Sequence, residues 1–258
     1  MRRVSSVPVS EQYDTIGIRY VGWKETPIPT YAELPTVRRL LTGRIEVRQV
    51  LDLACGTGYY SRLLKQWGAA RVVGADVSQV MIAEARKVEV EDRTGIEYMQ
   101  VDVATMPVLG AFDVATAMYL LHYAETHDAM RRMCRNIAAN LKPDGWLVAL
   151  LPEPDYVMGE GNTEQYGFTY RQVETNQQWT LVHADVHTIP PYSIEYRHWK
   201  RWVVEDALQG AGFTDLRWHQ MEVSPAGLER FGEAYWHDFR ANPMSTALTA
   251  RLSVPSHH

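Results

Sequence analysis

The sequence predicts an α/β protein built on a doubly wound sheet, and three observations carry the prediction. Short apolar runs alternate with amphipathic segments through residues 49–151. A glycine turn, Gly56-Thr57-Gly58, follows the first run. Acids, Asp76 and Asp102, stand at the carboxyl ends of the next two, and the carboxyl edge of such a sheet is where ligands bind.

Taken in order, residues 10–23 and 31–41 read as two helices interrupted by Thr26-Pro27-Ile28-Pro29, a lid ahead of the first strand. Strand 49–54 carries Val50, Leu51 and Leu53, the apolar run of a strand covered on both faces. Helix 57–67 presents Leu63, Leu64 and Trp67. Strand 71–75, helix 78–89 with Ser78 as its cap, and strands 96–101 and 112–118 follow. Helix 127–141 buries Met130, Met133, Cys134, Ile137, Ala138 and Leu141, stops at Lys142-Pro143-Asp144-Gly145, and leads into strand 145–151. Residues 152–198 break the alternation, with 178–182 and 193–199 reading as antiparallel strands around Thr188-Ile189-Pro190-Pro191-Tyr192. A helix holding Val203, Val204, Ala207, Leu208 and Ala211 ends at Gly212, and 214–223 reads as the final strand. The expected organisation is one domain: lid 1–45, core 46–152, inserted cover 153–200, and a completing segment 201–258.

A chain of 258 residues with 46% hydrophobic content can bury one substantial core. Its net charge of −5 argues against a nucleic-acid partner, and the expected partner is a small molecule. Met1-Arg2-Arg3 leads into no apolar run, and no segment is apolar enough to span a membrane, so the chain is expected to be cytoplasmic, a monomer or a homodimer. Cys55 and Cys134 make no disulfide framework, and Cys55 reads as a turn filler. His183 and His187 would face a common metal only on a helix, whereas their segment reads as strand or loop, so no metal is expected. His257-His258 is set aside as a tag remnant.

At the turn, Gly56 and Gly58 permit positive φ and close approach of a ligand to backbone amides. A dinucleotide turn requires a third glycine where Ser61 stands, which disfavours a nicotinamide oxidoreductase. Asp52, four residues ahead of Gly56, points to a cofactor without a pyrophosphate. Asp76 lies about 20 residues on, the spacing at which an acid reaches a ribose diol. Asp102 is placed to accept from an exocyclic amine, with Val103 and Met81 against the base. Separately, these pieces also read as a tight turn, a helix cap and a solvated loop acid. Together, Asp52-x-x-x-Gly56-x-Gly58, Asp76 and Asp102 resemble the class I S-adenosylmethionine-dependent methyltransferases over roughly residues 13–222. That resemblance implies a Rossmann-like seven-stranded sheet with a helical lid and an inserted antiparallel β cover. It implies S-adenosylmethionine as cofactor, held by Tyr13, Asp52, Ala54, Gly56, Gly58, Asp76, Val77, Met81, Asp102, Val103 and Met118. Tyr13-Asp14-x-Ile16 matches a lid that closes over the methionine end.

Methyl transfer from a sulfonium is an in-line displacement that needs positioning and exclusion of water, with a general base for some acceptors. His122, directly after the fourth strand, is the expected base or substrate orienter; its structural alternative is a loop histidine that fixes the next helix. Tyr119 reads as packing near the cofactor. The aromatic insert suits a flat organic substrate, contacted by Tyr20, Tyr119, His122, Tyr166, Tyr192 and Trp236. Tyr119-Leu120-Leu121-His122-Tyr123-Ala124, Gln165-Tyr166-Gly167-Phe168 and Phe231-Gly232-x-x-Tyr235-Trp236 are similar to segments of toxoflavin-type and aminocoumarin-type small-molecule methyltransferases. This implies an aromatic or heteroaromatic acceptor in natural-product or antibiotic biosynthesis, with N, C and O all open as the acceptor atom. A cofactor-binding protein without transferase activity is the other reading.

Overall fold

The computed structural model describes residues 8–253, so the Met1-Arg2-Arg3 start and His257-His258 lie outside the described residues. The main sheet has seven strands in the order β3-β2-β1-β4-β5-β10-β9. They are β1 (Gln49–Leu53), β2 (Arg71–Asp76), β3 (Glu97–Gln100), β4 (Phe112–Met118), β5 (Leu141–Pro152), β9 (Phe213–Gln220) and β10 (Ser245–Leu252). A separate antiparallel sheet joins β6 (Phe168–Thr175), β7 (Trp179–Val186) and β8 (Tyr192–Trp199). The first five strands of the main sheet pair in parallel, with Val50 opposite Val72 on one side and Val114 on the other. Strand order therefore reverses between β1 and β4, the position where an open α/β sheet leaves a crevice.

Both faces are buried, which is why the strands are apolar throughout. Val50, Val72, Val114 and Val148 pack in one layer with Leu40, Leu41 and Leu64. Their neighbours Leu51, Val73, Ala115 and Leu147 pack in the other, against Met130, Ile137, Val203 and Leu208. The covering helices are α3 (Leu34–Leu41), α4 (Tyr59–Gln66), α5 (Gln79–Asp92), α6 (His127–Ala139) and α7 (Arg201–Gln209). Ser78 caps α5 by accepting from Met81 N, and Thr126 caps α6 by accepting from Ala129 N.

Several elements depart from the sequence reading. The first helix is broken: α1 (Val9–Ile16) ends at Gly17, whose φ of 51° leaves the helical region, and a 3-10 turn leads into α2 (Val21–Lys24). A π-turn, Pro29–Glu33, precedes α3. Helix α6 ends at Ala139, and β5 starts at Leu141; a register shift between Phe112 and Val114 absorbs Lys142–Gly145. Strand β9 is not the last, because α8 (Pro225–Phe231) and α9 (Glu233–Ala241) bring the chain back to lay β10 antiparallel between β5 and β9. Strand β6 is likewise additional to the two expected in the insert. Among the described residues no helix is long and apolar enough to cross a membrane.

The three-stranded sheet packs through β8 on the turn Leu121–Tyr123 that follows β4. The Glu195 amide of β8 donates to the Gln12 side chain of α1 at 2.9 Å. Lid and cover are thus tied together over the carboxyl edge of β1 and β4.

Candidate active site

The chain turns out of β1 through Ala54, Gly56 and Gly58, at φ of 53°, 54° and 81°. This left-handed run aims successive amides at the space above the sheet. Asp76, at the end of β2, fixes it: one carboxylate oxygen accepts from Gly56 N at 2.8 Å, the other from Ser78 N at 2.9 Å. Each oxygen keeps a second lone-pair site for a ligand. A side chain at Gly56 would project into open space, 4.0 Å from Tyr20.

Asp52 and Gly58 serve the turn from behind. Thr116 Oγ1 donates to one Asp52 oxygen at 2.7 Å and Ser61 Oγ to the other at 2.6 Å, and burial raises the carboxyl to about 6. Ser61, which stands where a dinucleotide turn has glycine, therefore anchors the acid beneath the turn. A Cβ on Gly58 would lie 2.3 Å from Tyr98 Oη, so glycine is required there by packing and by its left-handed backbone. Neither residue lines the cleft, contrary to expectation.

That cleft encloses about 440 Å³, within the range of cofactor pockets. Ala54 and Gly56 form its inner end, Asp76 and Val77 one wall, and Asp102 with Val103 and Met81 the outer end. Met118 and Tyr13 close it from β4 and α1. Nine of the eleven residues expected to hold a cofactor thus converge, drawn from α1, the turn after β1, the ends of β2 and β3, α5 and β4.

A second, smaller chamber of about 70 Å³ lies beside it, beneath the cover. Tyr13, Tyr20, Tyr119 and Tyr123 line both, so the two spaces share a tyrosine wall. Within that wall the Tyr13 and Tyr123 hydroxyls meet at 2.5 Å. Tyr192 and His122, expected to contact substrate, line this chamber together with Tyr20 and Tyr119. His122 is buried, its ring 4.1 Å from that of Tyr123, and its Nδ1 has no hydrogen-bond partner. Burial, with His198 nearby, lowers it to about 3. Held neutral, the imidazole presents a hydrogen-bonding group to the chamber.

Tyr166 and Trp236 lie elsewhere. Trp236 is wholly buried, with Nε1 donating to Gly227 O at 2.9 Å. The Tyr166 hydroxyl donates to the Tyr235 carbonyl and accepts from Phe239 N. Their rings pack with Phe239 and Tyr235 to seat α9, so these aromatics are core. His183 sits between Asp185 at 3.1 Å and Glu195 at 3.3 Å across β7 and β8. Cys55 is buried, and burial pushes its thiol up.

Two charged residues at the site were not read from sequence. Glu33 is fully buried on the chamber wall; one oxygen accepts from the Tyr119 hydroxyl, and Oε2 has no partner. Burial raises its carboxyl, opposed first by Lys24 and then by the Tyr119 hydroxyl. Lys24 Nζ, also unpartnered, lies 4.8 Å from the Tyr60 ring centroid and 5.3 Å from that of Tyr20. It faces a small space under the glycine turn with Asp52 and Thr57; Tyr20, Ala54 and Met118 border that space and the main cleft alike. A lone lysine and a lone glutamate in lid helices form no pattern; only their burial marks them.

Comparison with known proteins places this geometry. The family model described as a methyltransferase domain matches residues 50–145. The ubiquinone biosynthesis O-methyltransferase of Bordetella avium is 33% identical over 109 residues, 42% of this chain and 44% of that protein. The trans-aconitate 2-methyltransferase of Escherichia coli K12 is 32% identical over 130 residues, 48% of this chain and 49% of that one. The matches span less than half the length of these curated relatives. A crystal structure of an S-adenosylmethionine-dependent methyltransferase from Mesorhizobium loti superposes with a TM-score of 0.62 at 22% identity, covering 89% of this chain and 99% of that one.

Proposed function

We propose that this chain, by domain and fold a class I S-adenosylmethionine-dependent methyltransferase, methylates a small aromatic or heteroaromatic metabolite. The observation that carries the reading is the shared tyrosine wall, which sets a cofactor-sized cleft directly against an aromatic chamber. The residues present fit the cofactor. Gly56 leaves room where any side chain would intrude, and Asp76 offers free lone pairs at the position of a ribose diol. Asp102, Val103 and Met81 would hold the adenine, Ala54, Met118 and Tyr13 the methionine end, and Lys24 lies where it can meet a carboxylate at the inner end. When bound, S-adenosylmethionine supplies a methyl group on a sulfonium for transfer to nitrogen, carbon or oxygen. The protein's part is to orient the acceptor and exclude water, with His122 as a neutral hydrogen-bonding group and the tyrosine wall as the screen.

The division into lid 1–45, core 46–152, cover 153–200 and completing segment 201–258 belongs to the same proposal, as do a cytoplasmic location, a monomer or homodimer, and a place in natural-product or antibiotic biosynthesis. The two curated relatives carry different acceptors in their names, so neither substrate transfers to this chain. Calorimetry with S-adenosylhomocysteine and with NAD, followed by turnover of methyl-labelled donor against a metabolite extract, tests the reading. Binding of S-adenosylhomocysteine and labelling of a small aromatic product are expected. Binding of NAD alone would overturn the donor, and donor binding without any labelled product would favour a cofactor-binding protein that does not transfer.

A further inference from the structure

Among the described residues, the aromatic chamber is lined by one charged side chain, Glu33, and by no arginine or lysine. Around Trp23, Phe168, Tyr170 and Tyr196, its fully buried polar atoms without a hydrogen-bond partner are Glu33 Oε2, His122 Nδ1 and Ser245 Oγ. Resting on the methyltransferase reading above, we propose that this chamber is the acceptor site and that it selects a planar acceptor bearing a protonated nitrogen or a ring N–H, anchored on Glu33.

A carboxylate buried without a full set of partners is costly, and buried polar groups are retained where something pairs with them. Tyr119 satisfies one Glu33 oxygen. Lys24, the cation whose field opposes the burial of Glu33, forms no ion pair with it and lines the space under the glycine turn instead. Oε2 therefore keeps acceptor capacity on a residue that lines the chamber, and a cationic or N–H group on a ligand is what it can bind strongly. The rings around it supply flat apolar walls and negative faces, which favour a cationic aromatic over a neutral one. His122 Nδ1 and Ser245 Oγ remain for a second polar edge of the same molecule. An anionic acceptor finds no counter-charge on the lining and meets the Glu33 carboxylate, so carboxylates such as trans-aconitate are excluded.

At about 70 Å³ the chamber is much the smaller of the two spaces, beside a cleft of about 440 Å³. The Tyr13–Tyr123 contact joins α1 to the turn after β4 along the wall between the two spaces.

Calorimetry on the full chain tests this with three bicyclic probes of matched size: 4-aminoquinoline, which is protonated at neutral pH, 1-naphthol and 1-naphthoate. Each is titrated with and without saturating S-adenosylhomocysteine. Wild-type protein is expected to bind 4-aminoquinoline at least tenfold more tightly than 1-naphthoate, and Glu33→Gln is expected to remove most of that preference while leaving S-adenosylhomocysteine affinity unchanged. Equal or tighter binding of 1-naphthoate by the wild type, or a preference that survives in Glu33→Gln, overturns the proposal. The wild-type ratio decides by itself if the variant does not fold. Failure to bind S-adenosylhomocysteine, measured without probe, overturns the donor reading; normal S-adenosylhomocysteine binding with none of the probes bound overturns the proposal alone.

Discussion

Asp52 and His122 are both buried, one under the glycine turn and the other beneath the cover, and their titrations oppose each other. The Asp52 carboxyl is raised from 3.8 to about 6, so the stability it contributes is full below pH 3.8 and is lost as pH rises through 6. His122 is lowered from 6.5 to about 3, so its contribution is full above pH 6.5 and is lost as pH falls towards 3. Between about pH 4 and 6 the two slopes cancel in part. Urea midpoints across that window are expected to fall with rising pH in His122→Phe, relative to wild type, and to rise in Asp52→Asn. Changes of the same sign in both variants would show that burial does not set these titrations. Each slope amounts to a few kcal/mol over the window, at about 1.4 kcal/mol for every tenfold change in proton affinity. At Asp76, replacement by Ala removes acceptors from Gly56 N and Ser78 N, and S-adenosylhomocysteine affinity is expected to drop at least tenfold in calorimetry. Unchanged affinity would remove Asp76 from the cofactor site. Gly56, Asp76 and Asp102, which line the cleft, were readable in the sequence because each follows or ends a strand, where spacing alone locates it. Glu33 and Lys24 were not, because a charged residue's burial depends on what the rest of the chain lays over it.

At the level of elements, the parallel half of the sheet was legible from apolar runs and helix caps. Strand β10 was not: Ser245, Thr246 and Thr249 interrupt its apolar pattern, and all three are buried because β5 and β9 flank the strand. Broken lid helices escaped notice for a related reason, since Gly17 costs a helix little until its φ turns positive. Aromatic content in the cover could not separate pocket from packing. Trp236 shows the difference, for its ring holds α9 against Tyr166 and Phe231. Trp236→Ala is expected to cost about 3–5 kcal/mol of stability, as truncation of a buried tryptophan does. The expected signature is a lowered denaturant midpoint with donor affinity intact; a loss of donor affinity in a fully folded variant would return Trp236 to the site. Gly58→Ala is expected to destabilise similarly, because the added methyl meets Tyr98 and the backbone is left-handed.

For the molecule as a whole, any ligand that binds only the folded state raises its stability, by about 2.7 kcal/mol at a hundred times its dissociation constant. Thermal unfolding is expected to move upward with S-adenosylhomocysteine and to stay unmoved by NAD; the reverse pattern would overturn the donor. Sheet order carries a consequence for the chain while it is being made. Every described residue that lines the main cleft lies before position 134, whereas the aromatic chamber is completed by Met244 and Ser245 at the start of the strand that enters the sheet last in sequence. During synthesis the half that holds the main cleft can close first. Strand β9 emerges without its neighbour, and β5 presents a bare edge, until β10 slides between them. A nascent chain therefore completes the lining of the main cleft before that of the aromatic chamber, and it carries unpaired edges on β5 and β9 in the interval between β9 and β10.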